Sequence, residues 1–515
     1  MIRSSAIGAS AIECDVAIVG AGIAGLVLAT RLAAAGKSVV VLESGLERQV
    51  EDHHPLNDVE QVGNRYAGAS DGRFRCLGGT STRWGGALIP FAVSDFTFQL
   101  PGWDSHWAGA GLELLERIPA VERLFGLPPS PYEDGDIEPL TAPDCRFAPR
   151  SAKWPPFGAR NVAALLAQEL LAQGGPEVVL DATVNSFEWK PDGRLGQIRA
   201  VSTSGASLAV KAGEFVLAAG AIESTRLLLA ADRSTNGEAF ARHDVLGRYF
   251  YDHLGSAPFA LRPLDRIGLN LVAGFRFEQR GMRNLRFEPD EATRRRHALP
   301  ASFAHIAFVT SPESGFALLR EVMRTVQQRE LPALGLMFKL GRSSPWLARA
   351  LWWRFARHRL LYPADADIRF NVVLEQEPTR NSRITLADRA DLTGVPIARI
   401  DWRIGDHDRA SMRQTSTLLE QAWQTSPYSK LATIEASPDC VDDLGETGGV
   451  FHPGGSTRIA ATNREGVVDR DLRCFAVPNL SVAATSVFPT GGGANPTMML
   501  VAAAIRLAER LSRPV

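Results

Sequence analysis

The stretch that most limits what this chain can fold into runs from Asp15 to Glu43, DVAIVGAGIAGLVLATRLAAAGKSVVVLE. Asp15–Val19 is a short apolar run with β-branched residues, the pattern of a strand buried on both faces in a parallel sheet. It breaks at Gly20-Ala21-Gly22-Ile23-Ala24-Gly25, and the small residues from Ala24 to Ala35 then predict a helix with Gly36 at its C-terminal end. Ser38–Leu42 is a second buried strand, closed by Glu43. Strand, glycines, helix, strand and terminal acid together make a dinucleotide-binding βαβ unit. Gly20 allows the tight turn, Gly22 lets the backbone approach a pyrophosphate, and Gly25 lets helix and strand pack closely. Glu43 is placed to take a ribose hydroxyl. An acid there argues against a 2′-phosphate, which leaves FAD or NAD.

A chain of 515 residues has room for two large interleaved domains or about three ordinary ones. Hydrophobic content of 45% and charged content of 22% are those of a globular protein, and a formal net charge of -1 gives no electrostatic ground for nucleic-acid binding. Cys14, Cys76, Cys145, Cys440 and Cys474 show no metal spacing, and an odd, sparse set makes a disulfide framework unexpected, so a reducing compartment fits. The opening MIRSSAIGASAIECD lacks a continuous apolar segment, and no apolar run is long enough to span a bilayer. These features predict a soluble, cytoplasmic protein.

Downstream, RFRCLGGTSTRWGGALIP from Arg73 to Pro90 brackets Ser81-Thr82-Arg83-Trp84 with glycine pairs, a loop suited to lie against a flat ligand. Leu112 to Phe125 and Asn161 to Gln173 read as helices. Glu177–Leu180, Asn185–Trp189, Ile198–Ser202 and Ser207–Val210 read as a small antiparallel excursion. Phe215–Ala219, Gly220 and a helix from Thr225 to Ala230 return the chain to the main sheet. From about Leu246 to Asp401, alternating runs such as Ser302–Val309 and Ile368–Glu375 predict an antiparallel sheet carrying a substrate wall, with an amphipathic helix over Phe316–Gln327. Pro345 to Leu361 mixes aromatics with arginines. It reads either as a membrane-surface or partner-docking helix or as a helix packed on its own domain with snorkelling arginines. Near the end, Asn479–Ala483 returns to the sheet and the closing helix begins near Pro496.

Taken in order, the N-terminal fingerprint, GGTSTRWGG, VLAAGAIESTRLLL, LGRYFYDH, FHPGGSTRI and SVFPTGGGANPTMML resemble the glucose–methanol–choline (GMC) oxidoreductase family end to end. Within it, Ser81-Thr82-Arg83-Trp84 and Gly493 to Thr497 are most similar to pyranose 2-oxidase-like sugar oxidoreductases. The resemblance implies an α/β fold in which a Rossmann-like FAD-binding domain is interleaved with a substrate domain on a mainly antiparallel sheet, as in p-hydroxybenzoate hydroxylase. Expected segments are 1–95 (FAD-binding, first part), 96–160 (connection and cap), 161–245 (FAD-binding, second part), 246–440 (substrate-binding) and 441–515 (FAD-binding, final part, with the catalytic pair).

The same resemblance implies FAD contacts from Gly20, Gly22, Ile23, Ala24, Gly25, Glu43, Ser44, Gly79, Thr80, Ser81, Arg83, Trp84, Gly85, Val184, Ala219, Gly220, Pro496 and Thr497. It also assigns Asp469 to Arg473 and Val487 to Thr490 to the flavin-side wall. Arg83 stands where relatives carry a flavin-linking histidine, so the FAD is expected to be non-covalent. Ala484 replaces a usual acid and Ile459 a usual methionine.

The implied chemistry is oxidation of a primary or secondary alcohol of a sugar, glycoside or cyclitol to a carbonyl, by hydride transfer to flavin N5. Such a step goes faster with a base on the hydroxyl, and histidine titrates in the right range. The family pattern places that base at His452 and an orienting partner at Asn495, while His253 is expected to pack behind them. Two alternatives remain at this level: the same chemistry on an apolar, sterol-like or terpenoid-like alcohol, or a flavin-binding protein without turnover. Expected partners are a small-molecule alcohol and an acceptor, either oxygen or another small carrier, with no nucleic acid and no metal.

Overall fold

The structure, a computed structural model, describes residues 1–4, 11–49, 51, 53–103, 107, 109–240, 244–278, 280–327, 330–437, 444, 450–493 and 495–513. Cys440, Ala494 and the expected 440/441 boundary lie outside the described residues.

The βαβ unit forms as the residues dictate: strand Ala11–Val19, helix Ile23–Ala34 and strand Val39–Leu42. It sits inside an eight-stranded sheet. The order is Ile2–Ser4, Glu177–Leu180, Val39–Leu42, Ala11–Val19, Ser207–Leu217, Leu195–Val201 and Thr183–Trp189, with Leu480–Val482 also paired to Ser207–Leu217. Pairing is parallel from Ile2–Ser4 through Ser207–Leu217 and to Leu480–Val482, and antiparallel over the remaining two strands. Ile18, Leu26, Val41 and Val482 are wholly buried in its core. The closing helix Thr497–Ser512 packs on Ile23–Ala34, and its Val501, Ala504 and Ile505 are buried.

A second eight-stranded sheet is antiparallel, ordered Ala432–Ala436, Leu254–Pro263, Asp367–Leu374, Ser302–Val309, Gly281–Pro289, Cys145–Trp154 and Leu140–Ala142, with Arg276–Glu278 beside Gly281–Pro289. One face packs Phe287, Phe370 and Val372 on Trp423 of the long helix Asp406–Thr425, which forms a second core. A three-stranded sheet of Arg383–Ala390, Pro396–Trp402 and Val59–Gly63 lies beside it.

Five sequence expectations change. Glu177–Leu180 is not part of an antiparallel excursion but a parallel strand between Ile2–Ser4 and Val39–Leu42, because apolar content marks a strand without naming its partner. Ser207–Val210 and Phe215–Leu217 are one continuous strand. Lys211 and Gly213, exposed residues between the two expected runs, lie mid-strand, with Lys211 paired to Glu13 on the ladder to Ala11–Val19. The expected connection and cap, 96–160, contributes Cys145–Trp154 to the second sheet. Its apolar period is masked by Arg150 and Lys153, which are buried against Glu288 and Glu122. The helix expected over Leu112 to Phe125 is two, Ala110–Leu115 and Ile118–Phe125, and that over Asn161 to Gln173 is also two, Val162–Leu165 and Ala167–Leu171.

Candidate active site

At the C-terminal ends of the parallel strands, the first sheet opens into a cavity lined by Gly20, Gly22, Ile23, Ala24, Glu43 and Ser44 on one side and by Thr183, Val184, Ala219 and Gly220 on the other. Gly20 holds φ +105°, and a Cβ there would sit 2.7 Å from the Ala218 carbonyl oxygen. A Cβ on Gly25 would sit 2.0 Å from the Gly20 carbonyl oxygen, so Gly25 is set by helix-to-turn packing and not by contact with the cavity. Helices Ile23–Ala34 and Ala221–Ser234 both start at the cavity, and neither has a side-chain cap. Their free first-turn N–H groups fit a pyrophosphate.

Glu43 closes its strand as a buried acid. Its Oε2 accepts from Ala21 N–H at 2.8 Å and its Oε1 from Gly45 N–H at 2.9 Å. Burial pushes its carboxyl up, against the downward pull of those bonds and of Arg75. The acid therefore braces the glycine turn and lines the cavity at the same time. These features fit FAD: open space at Gly22, two uncapped helix starts and an acid at the second strand's end.

Of the glycine-rich loop, Gly79 and Thr80 line this cavity, while four other expected contacts stand off it. Ser81 is buried, accepting from Val162 N–H at 3.0 Å. Arg83 donates to the Gln49 carbonyl at 2.8 Å, with its guanidinium 4.6 Å from the Phe74 ring centre, beside a separate small pocket. The Trp84 indole donates to the Arg160 carbonyl at 2.8 Å, and Gly85 lies against Trp154. Pro496 and Thr497 likewise stand off, and Leu500, one turn further along, lines the cavity instead. Ala483, Ala484 and Thr485 line the cavity, whereas Asp469 to Arg473 and Val487 to Thr490 do not. Val487 and Phe488 are spent in the core. Sequence reasoning also missed Arg73 and Arg75 on the cavity. The signal in the sequence is the pair of arginines that opens the marked loop; Arg75 is buried and pairs with Glu223 of the second helix start at 2.9 Å, and Arg73 is half-buried.

His452 and Asn495 lie 43 positions apart in sequence and meet with Asn495 Nδ2 3.0 Å from His452 Nε2. Phe451 and Pro453, on either side of His452, line the cavity. Phe451 adopts φ +61°, an unusual backbone for a bulky residue. That turn is held by the buried Asp252, whose Oδ1 accepts from His452 N–H at 2.7 Å and whose Oδ2 accepts from the Tyr66 hydroxyl at 2.8 Å. His253 packs edge-on against His452, ring centres 5.1 Å apart, and its Nε2 donates to the Gly492 carbonyl at 2.8 Å. Asp252, His253 and His452 thus converge, but both carboxylate oxygens and one nitrogen of each imidazole are already committed to hydrogen bonds, which fits a clamp better than a metal centre.

From the second sheet, Arg286 donates to Asn495 Oδ1 at 2.8 Å and to the Gly493 carbonyl at 3.0 Å, with its guanidinium 3.8 Å from the Phe303 ring centre. Glu375 accepts from Gly492 N–H at 2.7 Å. Burial, with His253 and Arg286 nearby, holds His452 well below the ordinary imidazole range, so it is neutral at pH 7. Burial also lowers His253 to about 4 and raises Asp252 to about 7.

Comparison with known proteins agrees with this architecture. The GMC oxidoreductase C-terminal family model matches residues 378–504, and an NAD(P)-binding Rossmann-like domain model matches 18–47. The chain is 22% identical to 6'''-hydroxyparomomycin C oxidase of Streptomyces lividus over 97% of its own length and 91% of that protein's. It is 26% identical to paromamine 6'-oxidase of Streptomyces fradiae over 28% of this chain and 26% of that one. Among solved structures, pyridoxine 4-oxidase from Mesorbium loti superposes with a TM-score of 0.59 at 17% identity, covering 96% of this chain and 99% of that one. A formate oxidase superposes with a TM-score of 0.58 at 16% identity, covering 98% and 99%. No described helix is long and apolar enough to cross a membrane. Fold, cavity and matches together place the chain in the GMC oxidoreductase family, as an FAD-dependent enzyme that oxidises alcohols.

Proposed function

We propose that this enzyme oxidises one hydroxyl of a sugar, glycoside or cyclitol to a carbonyl, with His452 as base, Asn495 as orienting partner and FAD held without a covalent link. The observation that carries the reading is the orientation of the pair. Arginine has only donors, so the Asn495 oxygen faces Arg286 and its NH₂ faces His452. An amide N–H aimed at Nε2 requires a lone pair on that nitrogen. A substrate hydroxyl seated between the two side chains would donate its proton to His452 Nε2 and accept from Asn495 Nδ2.

FAD in the cavity supplies the acceptor for the hydride, which carries both electrons away from the carbinol carbon. The hydroxyl proton passes to His452 as the C–O bond becomes C=O, a general-base contribution of roughly 10²–10⁴ in rate. Asn495 fixes the hydroxyl's direction, and Arg286 fixes Asn495.

The substrate class is supported by the wall around Phe303. His305 and Asn371 oppose each other on adjacent strands, on the same face as Phe303. His305 Nδ1 and Asn371 Oδ1 are buried without a partner among the described residues. Buried polar atoms require partners, and a polyhydroxylated ligand would supply them where an apolar one would not. The names of the two aminoglycoside-oxidising relatives agree with this class.

Anaerobic bleaching of the bound flavin across a panel of sugars, cyclitols and apolar alcohols tests the reading. Bleaching by polyols is expected, and bleaching only by a sterol or terpenoid alcohol would overturn it. Acid precipitation should release all of the flavin to the supernatant, since the Arg83 guanidinium offers no nucleophile for a flavin link.

A further inference from the structure

Inserted between strands Ser302–Val309 and Asp367–Leu374 is a helical excursion, Gly315–Gln327, Leu334–Arg342 and Ser344–Trp352, which no step above uses. Its exposed side is unusually apolar. Leu331 is 94% exposed, Leu334 89%, Phe338 71% and Phe355 71%, with Leu351 and Trp352 more than half exposed. Leu334 and Phe338, like Leu351 and Phe355, are four residues apart and share a face. From Leu331 to Leu361 there is no Asp or Glu, but there are Lys339, Arg342, Arg349, Arg354, Arg357 and Arg359. Arg342 lies 6.0 Å from the Phe338 ring centre and Arg357 5.6 Å from that of Trp352. Among the described residues, no carboxylate forms an ion pair with Lys339, Arg342, Arg349 or Arg357.

The platform is anchored. Gln327 donates to the carbonyls of Ser81 at 3.1 Å and Trp84 at 3.2 Å, Phe316 meets Trp346 edge-on, and Tyr362 stacks on Phe308 at 4.1 Å. The projecting leucines and aromatics are therefore a property of an ordered surface. An exposed apolar patch of this kind calls for an occupant.

We propose that this face docks the enzyme on the surface of a bilayer containing anionic lipid. Apolar and aromatic side chains flanked by Lys and Arg, on helices too short to span, are the chemistry of an interfacial anchor. A second copy of the chain is a poor occupant, because a two-fold contact would set these cations against one another with no acid on the patch to pair them. A rigid protein partner needs a matching hole for every projecting side chain, whereas fluid acyl chains close around them. Docking would bring the polar wall of His305 and Asn371 close to the lipid surface, since the excursion joins the two strands that carry them.

The test is flotation of the FAD-loaded full-length enzyme with phosphatidylcholine vesicles, with and without about 30 mol% phosphatidylglycerol, at low and high salt. Binding is expected only with phosphatidylglycerol, falling as salt rises. It should drop about tenfold or more in Leu334→Asp/Phe338→Asp and in Arg342→Glu/Arg349→Glu. These residues are exposed and outside the site, so flavin absorbance and turnover on a soluble substrate should stay unchanged and report intact folding. Absence of flotation at low salt, or flotation indifferent to both double variants, overturns the proposal. So does a concentration-dependent dimer in sedimentation velocity that the leucine–phenylalanine variant abolishes, or capture by polyglutamate with no capture by vesicles.

Discussion

Arg286 Nη2 donates to Asn495 Oδ1 at 2.8 Å, and through that bond a strand of the second sheet sets which end of the amide faces His452. Removing the fork would free Asn495 to turn. Arg286→Met should slow flavin reduction about tenfold or more, the size of one charge-assisted hydrogen bond. Arg286→Lys should not restore it, because a single ammonium cannot span Asn495 and the Gly493 carbonyl in a fixed fork. Rapid-mixing reduction under anaerobic conditions measures both, and a wild-type rate in Arg286→Lys would refute the fork.

His452→Ala should keep FAD and fold yet reduce flavin about 10²-fold or more slowly, the loss expected when a general base is removed. Asn495→Ala should cost less, since it removes an orienting bond and leaves the proton acceptor. If single-turnover reduction in His452→Ala runs near the wild-type rate, the base lies elsewhere.

The pH profile follows from burial. His452 acts neutral, and its folded-state value lies well below 6.5, with His253, Arg286 and the buried Asp252 as the titratable or charged groups facing it. His452 should therefore add no inflection to flavin reduction between pH 8 and 6.5, and one near 7 that disappears in Asp252→Asn belongs to Asp252. An inflection near 6.5 that persists in Asp252→Asn would show an exposed, ordinary imidazole. Stability has the same sign for His253. Below 6.5 the unfolded chain takes up a proton that the folded chain refuses until about 4, so this contribution is complete above 6.5 and is lost as pH falls through that window.

Glu43 has two tasks, and its variants should separate them. Glu43→Ala leaves the Ala21 and Gly45 N–H groups buried and unpaired, at about 1–3 kcal/mol each, so the melting temperature of the FAD-free protein should fall along with FAD affinity. Glu43→Gln keeps one acceptor and should lose less stability than Glu43→Ala. Thermal unfolding with and without added FAD reads both effects, and unchanged FAD affinity in Glu43→Ala would remove the acid from the cofactor site.

What the sequence by itself determined is local. The βαβ unit from Asp15 to Glu43 was legible to within a few residues because each of its roles is written in adjacent positions: β-branched residues for buried strands, glycines for the turn, an acid at the second strand's end. Strand Ser302–Val309 and the helix over Phe316–Gln327 were legible for the same reason, since period and composition act over a few residues. The His452–Asn495 pair was named by resemblance alone, as nothing local marks a lone histidine before Pro-Gly-Gly.

Tertiary structure decided what depends on distant partners. It made Glu177–Leu180 a parallel strand of the main sheet and turned the buried Arg150 and Lys153 into sheet residues through Glu288 and Glu122. It brought Arg286 to Asn495 across 209 positions and Asp252 to the His452 backbone across 200. It also took Ser81, Arg83, Trp84 and Gly85 off the cavity while placing Arg73, Arg75 and Ala483–Thr485 on it. The physical reason is common to all of these. A hydrogen bond or ion pair in a desolvated interior is selected by which strands lie side by side, and strand order follows from chain closure over hundreds of residues, a property that no short window of sequence contains.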